Sequence, residues 1–115
     1  MESAAPPPEN EPRSTLSRVP SYIRSGRLEE AERLLISVLR AAEDESEVHW
    51  EGLVALTELY EHQERYREGL ILSRETPEKL DPTSELGRRA LQARARLHEA
   101  EGEYDLAADC LSRLE

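Results

Sequence analysis

The sequence predicts an all-α protein in which pairs of helices repeat along the chain. Beyond its first residues the chain is dominated by the helix formers Leu, Glu, Arg and Ala, and β-branched residues never alternate with polar ones over a useful length. Helix-breaking residues divide this stretch at short intervals. Short phrases also recur with a fixed period of 38 residues, which is typical of an α-solenoid.

Residues 1–13 are predicted to form a disordered, proline-rich tail. Their prolines, Pro6–Pro8 and Pro12, are mixed with acids, and the segment cannot bury enough apolar surface to offset the entropy of ordering. Residues 14–115 are predicted to form one helical domain.

The first breaks separate three predicted helices. Gly26 ends a short first helix, which either begins near Pro20 or begins near Ser14 and is kinked at the proline. A long second helix follows Gly26. The acidic segment after it offers Asp44 and Ser46 as candidate N-caps for the third helix.

The remaining breaks bring the predicted total to six helices. The third helix ends near His62, and the next begins near Arg65. Pro77 and Pro82 each suit the first position of a helix, and Gly102 separates the last two helices. Because the loops are short, neighbouring helices should pack antiparallel.

The period becomes visible when the sequence is shifted by 38 residues. Five sets of residues then coincide in two successive steps; four of the sets share a character, and in the fifth Glu64 meets two glycines. One set consists of small residues, such as Ala31, which are expected to let the second helix of a pair approach the first. A set of larger residues three positions earlier, such as Leu28, is expected to fill the space beside that contact. The ring is expected to close the first helix onto the second. The sets are Tyr22, Tyr60 and His98; Gly26, Glu64 and Gly102; Leu28, Tyr66 and Tyr104; Ala31, Gly69 and Ala107; and Leu34, Leu72 and Cys110.

The segments YIRSGRLEEAERLL, YEHQERYREGLIL and HEAEGEYDLAADCL resemble tetratricopeptide repeats. The resemblance covers roughly residues 14–115 and implies a right-handed α-solenoid of about three antiparallel helix pairs. The period of 38 exceeds the family's usual 34, so helices or loops must be longer here. Thr15 and Arg18 stand where Leu is expected, and Arg94 stands where the middle unit has Leu56. An ordinary helical bundle with coincidental spacing is the alternative.

Composition excludes several classes of function. The formal charge of −10 argues against a binder of duplex nucleic acid, because neutralising phosphates requires clustered Lys and Arg. The negative charge also disfavours binding to an anionic membrane surface. No apolar run approaches the ~20 residues of a membrane span. Cys110 is the only cysteine, so no intramolecular disulfide is expected. The N-terminal residues lack the basic and apolar regions of a signal peptide, so we expect a cytoplasmic protein.

The sequence offers little support for an enzyme, a metal site or a cofactor. Glu58 and His62 share a helix face, but this spacing is typical of a solvated pair rather than of a metal site. His98 is expected to replace a tyrosine in packing. Cys110 is expected to be a small buried hydrophobe rather than a nucleophile.

The charge distribution instead favours a protein-binding role. Eleven acids and two bases lie from Glu29 to Glu64, whereas four arginines and no acid lie from Leu86 to His98. In the resembled family the first helices of successive pairs line a groove that holds a peptide. By position, the residues implied to bind a partner are Glu51, Val54, Glu58, His62, Arg89, Gln92, Arg96 and Glu99, with Ala55, Glu61 and Ala93 beside them.

These features predict an adaptor or scaffold that binds a partner protein or peptide in the groove. Arg89 and Arg96, seven residues apart on one helix face, are the candidates for binding acidic side chains. Reversing both charges is expected to weaken partner binding and hardly change thermal stability.

The C-terminal helix suggests an alternative function. Ala107, Cys110, Leu111 and Leu114 are expected to cover the preceding helix, whereas nothing follows to cover Leu106. Either the last pair caps itself, or this surface meets another protomer in a homodimer, or the chain is part of a longer protein. The second case predicts a structural protein that self-associates through its terminal helices.

Overall fold

The computed structural model describes residues 11–115, and all regular secondary structure in this range is helical. It contains six helices of seven or more residues and one single-turn helix, α5, that the sequence did not predict. The helices are α1 Pro12–Arg24, α2 Leu28–Ala41, α3 Glu47–His62, α4 Tyr66–Leu72, α5 Thr76–Lys79, α6 Glu85–Ala100 and α7 Tyr104–Ser112. The chain divides into two units, Met1–Gly52 and Leu53–Glu115, and the division falls within the sequence of α3.

The start of the helical region lies slightly earlier than expected. Because α1 begins at Pro12, two residues assigned to the disordered tail are helical, and the tail boundary moves accordingly. Residues 1–10 lie outside the described part of the chain, so their disorder stays a prediction. Pro20 lies inside α1 rather than at its start, which agrees with the alternative that placed the start near Ser14.

Side-chain caps define two of the helix starts. The backbone N–H of His49 donates to Ser46 Oγ at 3.2 Å, so Ser46 rather than Asp44 caps α3. The N–H of Gly87 donates to Ser84 Oγ at 3.0 Å and caps α6 in the same way. Of the two prolines considered as helix starts, Pro77 lies in α5, whereas Pro82 lies in the turn before α6.

Three turns of the chain share one backbone conformation. The φ angle is +80° at Gly26, +62° at Glu64 and +78° at Gly102. These left-handed residues occupy the positions that the 38-residue shift superposes, so the period predicted from the sequence is present in the backbone. Glycine adopts this conformation freely, whereas a residue with a Cβ does so at a cost of about 1–2 kcal/mol.

The hydrogen bonds of these turns repeat as well. The N–H of each left-handed residue donates to the carbonyl three positions earlier, at 3.0 Å in all three turns. The N–H of the following residue donates to the carbonyl five positions earlier, in the pairs Arg27–Tyr22 (2.9 Å), Arg65–Tyr60 (2.8 Å) and Glu103–His98 (2.8 Å). These two bonds form a Schellman motif, which satisfies carbonyls that a helix end leaves open.

The side chain after each turn folds back onto the ring before it. In the first two turns an arginine guanidinium lies over a tyrosine ring, at 4.5 Å in Arg27–Tyr22 and 4.3 Å in Arg65–Tyr60. In the third turn both partners are different, and His98 Nδ1 lies 2.8 Å from Glu103 Oε1. The same contact is therefore made by a cation–π pair twice and by a hydrogen bond once.

The small residues of the repeat are buried, as the sequence predicted. Ala31 is 0% exposed and Ala107 is 2% exposed. A Cβ placed on Gly69, which is also buried, would lie 3.0 Å from Leu97 Cδ1 and 3.5 Å from Tyr60 Cβ. In the second unit, α4 therefore lies against both α3 and α6 at a point where only a very small side chain fits.

In the first unit the core is aliphatic, with one aromatic residue. Val19 of α1 and Leu35 and Val38 of α2 are buried, and Trp50 is 8% exposed. A Cβ on Gly52 would lie 3.0 Å from Val38 Cγ1, so the absence of a side chain at Gly52 lets the start of α3 approach α2.

We predict opposite effects of substitution at two equivalent turn positions. Gly102→Ala should lower the free energy of unfolding by about 1 kcal/mol, since a Cβ there meets nothing within 4 Å and only the positive φ opposes it. Glu64→Gly should raise the free energy of unfolding by about 0.5–1 kcal/mol, because it relieves the backbone strain of the folded chain. The greater conformational entropy that glycine gives the unfolded chain offsets part of this gain. Urea denaturation measures both. Glu64→Ala, which keeps the strain, is the control, and a stabilising Gly102→Ala would contradict this account.

Candidate functional site

The second unit places two ion pairs between α3 and α6. Arg89 binds Glu58 through two hydrogen bonds, from Nη2 to Oε1 at 2.6 Å and from Nε to Oε2 at 3.1 Å. Arg96 Nε donates to Glu61 Oε2 at 2.7 Å. We refer to the surface formed by these four residues as the α3–α6 face.

The spacing of the four residues explains the two pairs. Glu58 and Glu61 are three apart on α3, and Arg89 and Arg96 are seven apart on α6, so each pair of like residues shares a helix face. All four side chains are partly accessible, from 24% for Glu61 to 49% for Arg96. At this exposure each ion pair contributes about 0–1 kcal/mol to stability. The carboxylate of Glu61 raises the pKa of Arg96.

The other residues predicted to bind a partner differ in accessibility. Gln92 is half-buried, and His62 and Glu99 are exposed. Val54 is 1% exposed and Ala93, beside it in the prediction, is 0% exposed, so neither side chain is available to a partner. Both were placed in the groove by position alone, but their apolar side chains pack into the interior of the second unit.

Two of the predicted residues have partners that the sequence did not suggest. Glu58 pairs with Arg89 rather than with His62, its neighbour on α3. Glu51 belongs to the first unit, where its Oε1 accepts a hydrogen bond from Arg13 Nη1 at 3.3 Å.

The ion pairs also change the expectation for charge reversal. Arg89 and Arg96 were expected to be replaceable without loss of stability. A glutamate at either position would instead face the glutamate that the arginine now binds, so reversal costs stability as well as changing the surface.

A second polar cluster, which the sequence did not predict, surrounds Arg94. Its Nη1 donates to the carbonyl of Leu70 at 3.0 Å and to Ser73 Oγ at 2.8 Å, and Ser73 Oγ donates to the carbonyl of Gly69 at 2.7 Å. Burial lowers the pKa of Arg94. This arginine thus binds the C-terminal turn of α4, where a cation is favoured by the helix dipole.

The interruption between α4 and α5 provides the site for Arg94. At the 38-residue shift, α2 (residues 28–41) corresponds to residues 66–79, which is the span of α4 and α5 together. Pro77 has no N–H and disfavours an uninterrupted helix through this span. The Arg74 N–H donates to Ile71 at 3.5 Å instead of to Leu70, and Arg94 binds the carbonyl of Leu70.

His98 and Cys110 belong to the same region. His98 is 7% exposed and packs inside, as predicted, but it also has polar neighbours, with Glu103 at 2.8 Å from Nδ1 and Arg94 Nη2 at 3.4 Å from Nε2. Burial raises the pKa of Cys110, and nearby Arg94 only partly opposes the effect. Cys110 is therefore mainly a thiol at neutral pH, which is unlike an activated nucleophile.

Neither a metal site nor a membrane span is found in the described part of the chain. Within residues 11–115, no three or more His, Cys, Asp or Glu side chains are grouped so that they could hold a metal ion. None of the helices in the same range has the length and apolar character needed to cross a bilayer.

Comparison of the chain with known protein families, with curated proteins and with solved structures found no match. The resemblance to tetratricopeptide repeats therefore stays a prediction from the sequence motifs.

We predict that Arg94 stabilises the fold although Leu occupies the equivalent position in the middle repeat. Arg94→Leu should lower the free energy of unfolding by about 2 kcal/mol, because the carbonyl of Leu70 and the hydroxyl of Ser73 lose a charged donor. Urea denaturation measures the loss. Arg88→Leu, at an exposed position of α6, is the matched control and should change stability little; equal effects of the two substitutions would refute a specific role of Arg94.

We also predict that the Glu58–Arg89 pair can be inverted. Arg89→Glu alone should cost about 1 kcal/mol, and Arg89→Glu with Glu58→Arg should recover most of that loss. A double-mutant cycle followed by urea denaturation measures the coupling. The combination of Arg88→Glu with Glu58→Arg should show no recovery, and recovery there too would indicate a general effect of charge.

Proposed function

We propose that the protein is a cytoplasmic, non-enzymatic adaptor whose α3–α6 face binds a charged, extended segment of a partner protein. The observation that supports this most directly is the pair of partly exposed Arg–Glu contacts on that face. The arginines are already oriented by Glu58 and Glu61, so binding a partner there orders few additional side chains.

The character of the face indicates the chemistry of the partner. Val54 and Ala93 are buried, so the face has little apolar surface to contribute. An acidic side chain of the partner would replace Glu58 or Glu61 as the ligand of an arginine. Because each existing pair is worth only about 0–1 kcal/mol, the exchange costs little. Binding of this kind is sensitive to salt and selects its partner by charge pattern.

The buried polar residues support a binding role rather than catalysis. Arg94 and His98 make hydrogen bonds that join α4, α6 and the turn before α7, and Cys110 is a buried thiol. His98 and Cys110 are buried, so neither is accessible in the way that a nucleophile or general base requires.

The proposal is tested with a variant that removes both ion pairs without reversing charge. The variant Glu58→Gln, Glu61→Gln, Arg89→Gln, Arg96→Gln retains the net charge, and its free energy of unfolding changes by no more than about 2 kcal/mol. A photo-crosslinking residue at Gln92, which lies between Arg89 and Arg96 on α6, should capture a partner in cell extract.

Capture should disappear in the fourfold variant and fall steeply as salt is raised. The matched control carries the same number of neutral glutamines on exposed or half-exposed positions of α2, at Glu29, Glu32, Arg33 and Arg40, and should capture the partner normally. Equal capture by the fourfold variant and the control would contradict a binding role for the α3–α6 face.

A further inference from the structure

The last helix exposes apolar residues at positions that are buried or half-buried in the earlier repeats. Tyr104 is 69% exposed and Leu111 is 45% exposed, although Tyr104 was expected to fill the space beside the small residue. At successive shifts of 38 residues, Leu111 corresponds to Ser73 and Leu35, which are 2% and 0% exposed. In α7 the residues of this face, Tyr104, Ala108 and Leu111, are all exposed.

The second unit shows what covers the equivalent face of α4. The covering helix is α6, whose Leu97 lies against Gly69 and whose Arg94 binds the carbonyl of Leu70 and the hydroxyl of Ser73. Gly69, Leu70 and Ser73 correspond to Ala107, Ala108 and Leu111 of α7. A helix with the pattern of α6 is therefore the natural occupant of the exposed face of α7.

Within the described residues, α1 carries the small residue and the arginine of this pattern, with Ser21 in place of Leu97, and its corresponding face is mostly exposed. Two shifts of 38 residues superpose Ala90, Arg94 and Leu97 of α6 on Ser14, Arg18 and Ser21 of α1. In α6 these positions are buried or half-buried, whereas in α1 Arg18 and Ser21 are exposed and Ser14 is half-buried. The arginine that binds the end of α4 thus has an exposed counterpart in α1.

We propose that α7 of one copy receives α1 of a second copy, reproducing between molecules the contact that α4 and α6 make within the second unit. Ser14 and Ser21 would admit the large side chains of Tyr104 and Leu111. Arg18 of the second copy would lie over the last turn of α7, where the helix dipole favours a cation.

The charges of the two helices are complementary. The helix α1 (Pro12–Arg24) contains three arginines, Arg13, Arg18 and Arg24, and no acidic residue. The helix α7 (Tyr104–Ser112) contains Asp105 and Asp109 and no basic residue. A specific pair follows from the register as well. Arg67 and Glu103, whose charged atoms lie 3.8 Å apart in the second unit, correspond to Asp105 of one copy and Arg27 of the next. The positions of the positive and the negative residue are exchanged, so Asp105 and Arg27 attract each other as Arg67 and Glu103 do.

One contact in the same register is unfavourable. Glu58 and Arg89 correspond to Arg96 of one copy and Arg13 of the next, which places two like charges close together. The interface also buries only a few apolar side chains. Association is therefore weak and requires high protein concentration. The α1 surface of one copy binds the α7 surface of another, and these two surfaces are different. The assembly therefore always keeps one free α1 surface and one free α7 surface, and it grows as an open chain.

The test is the weight-average mass measured by sedimentation equilibrium up to millimolar protein. The unaltered chain should pass twice its monomer mass of 13.1 kDa and continue to rise. Arg18→Glu should stay monomeric because it brings an acid against Asp105 and Asp109. The double variant Tyr104→Ser, Leu111→Ser should also stay monomeric, because it removes the apolar side chains of α7. All substituted side chains are exposed, and circular dichroism checks that each variant is folded.

The decisive sample is an equimolar mixture of these two variants. Each keeps one intact surface, so the mixture should form a dimer of one copy of each and nothing larger. Arg40→Glu and Ile71→Ser, which change exposed residues on other helices, should associate like the unaltered chain. A monomer at all concentrations overturns the proposal. So does a symmetric contact between two α7 helices, which would leave Arg18→Glu dimeric and the mixture unable to form mixed dimers.

Discussion

The structure depends on a left-handed residue at three equivalent places, because that residue separates each first helix from its partner. At Gly26, Glu64 and Gly102 the chain leaves one helix, satisfies its last carbonyls and starts the next helix within three residues. Without this turn the two helices of a pair would run on as one. The small residue of the second helix would then have no first helix to lie against.

The middle turn shows how the constraint is met without glycine. Glu64 holds the left-handed conformation at a cost of about 1–2 kcal/mol. The next residue supplies compensating contacts, since Arg65 lies over the ring of Tyr60 and forms an ion pair with Glu68. Such a cation–π contact contributes about 0.5–1 kcal/mol at an exposed site. The turn is thus specified by the residues around it as much as by its central residue.

The repeating features could be read from the sequence because each depends on neighbouring residues. The small residue, the ring and the left-handed position lie within ten residues of one another, and their period of 38 residues fixes where they recur. The contacts that were missed join residues far apart in the chain. Neither the Glu58–Arg89 pair nor the binding of Arg94 to Leu70 can be found without knowing which faces of α3, α4 and α6 meet. Pro77 was one of two candidate helix starts, but the binding of Arg94 to the carbonyl of Leu70 was not predicted.

The central claim is that the middle pair of helices repeats the turn of the other two, and the φ angle of Glu64 tests it most directly. Nuclear magnetic resonance in solution determines this angle from the coupling and the nuclear Overhauser effect between the amide and α protons of the residue. The account predicts a positive φ at Glu64, in the same left-handed region as Gly26 and Gly102. A negative, right-handed helical φ would mean that α3 continues into α4, which would contradict the repeat and every correspondence drawn from it.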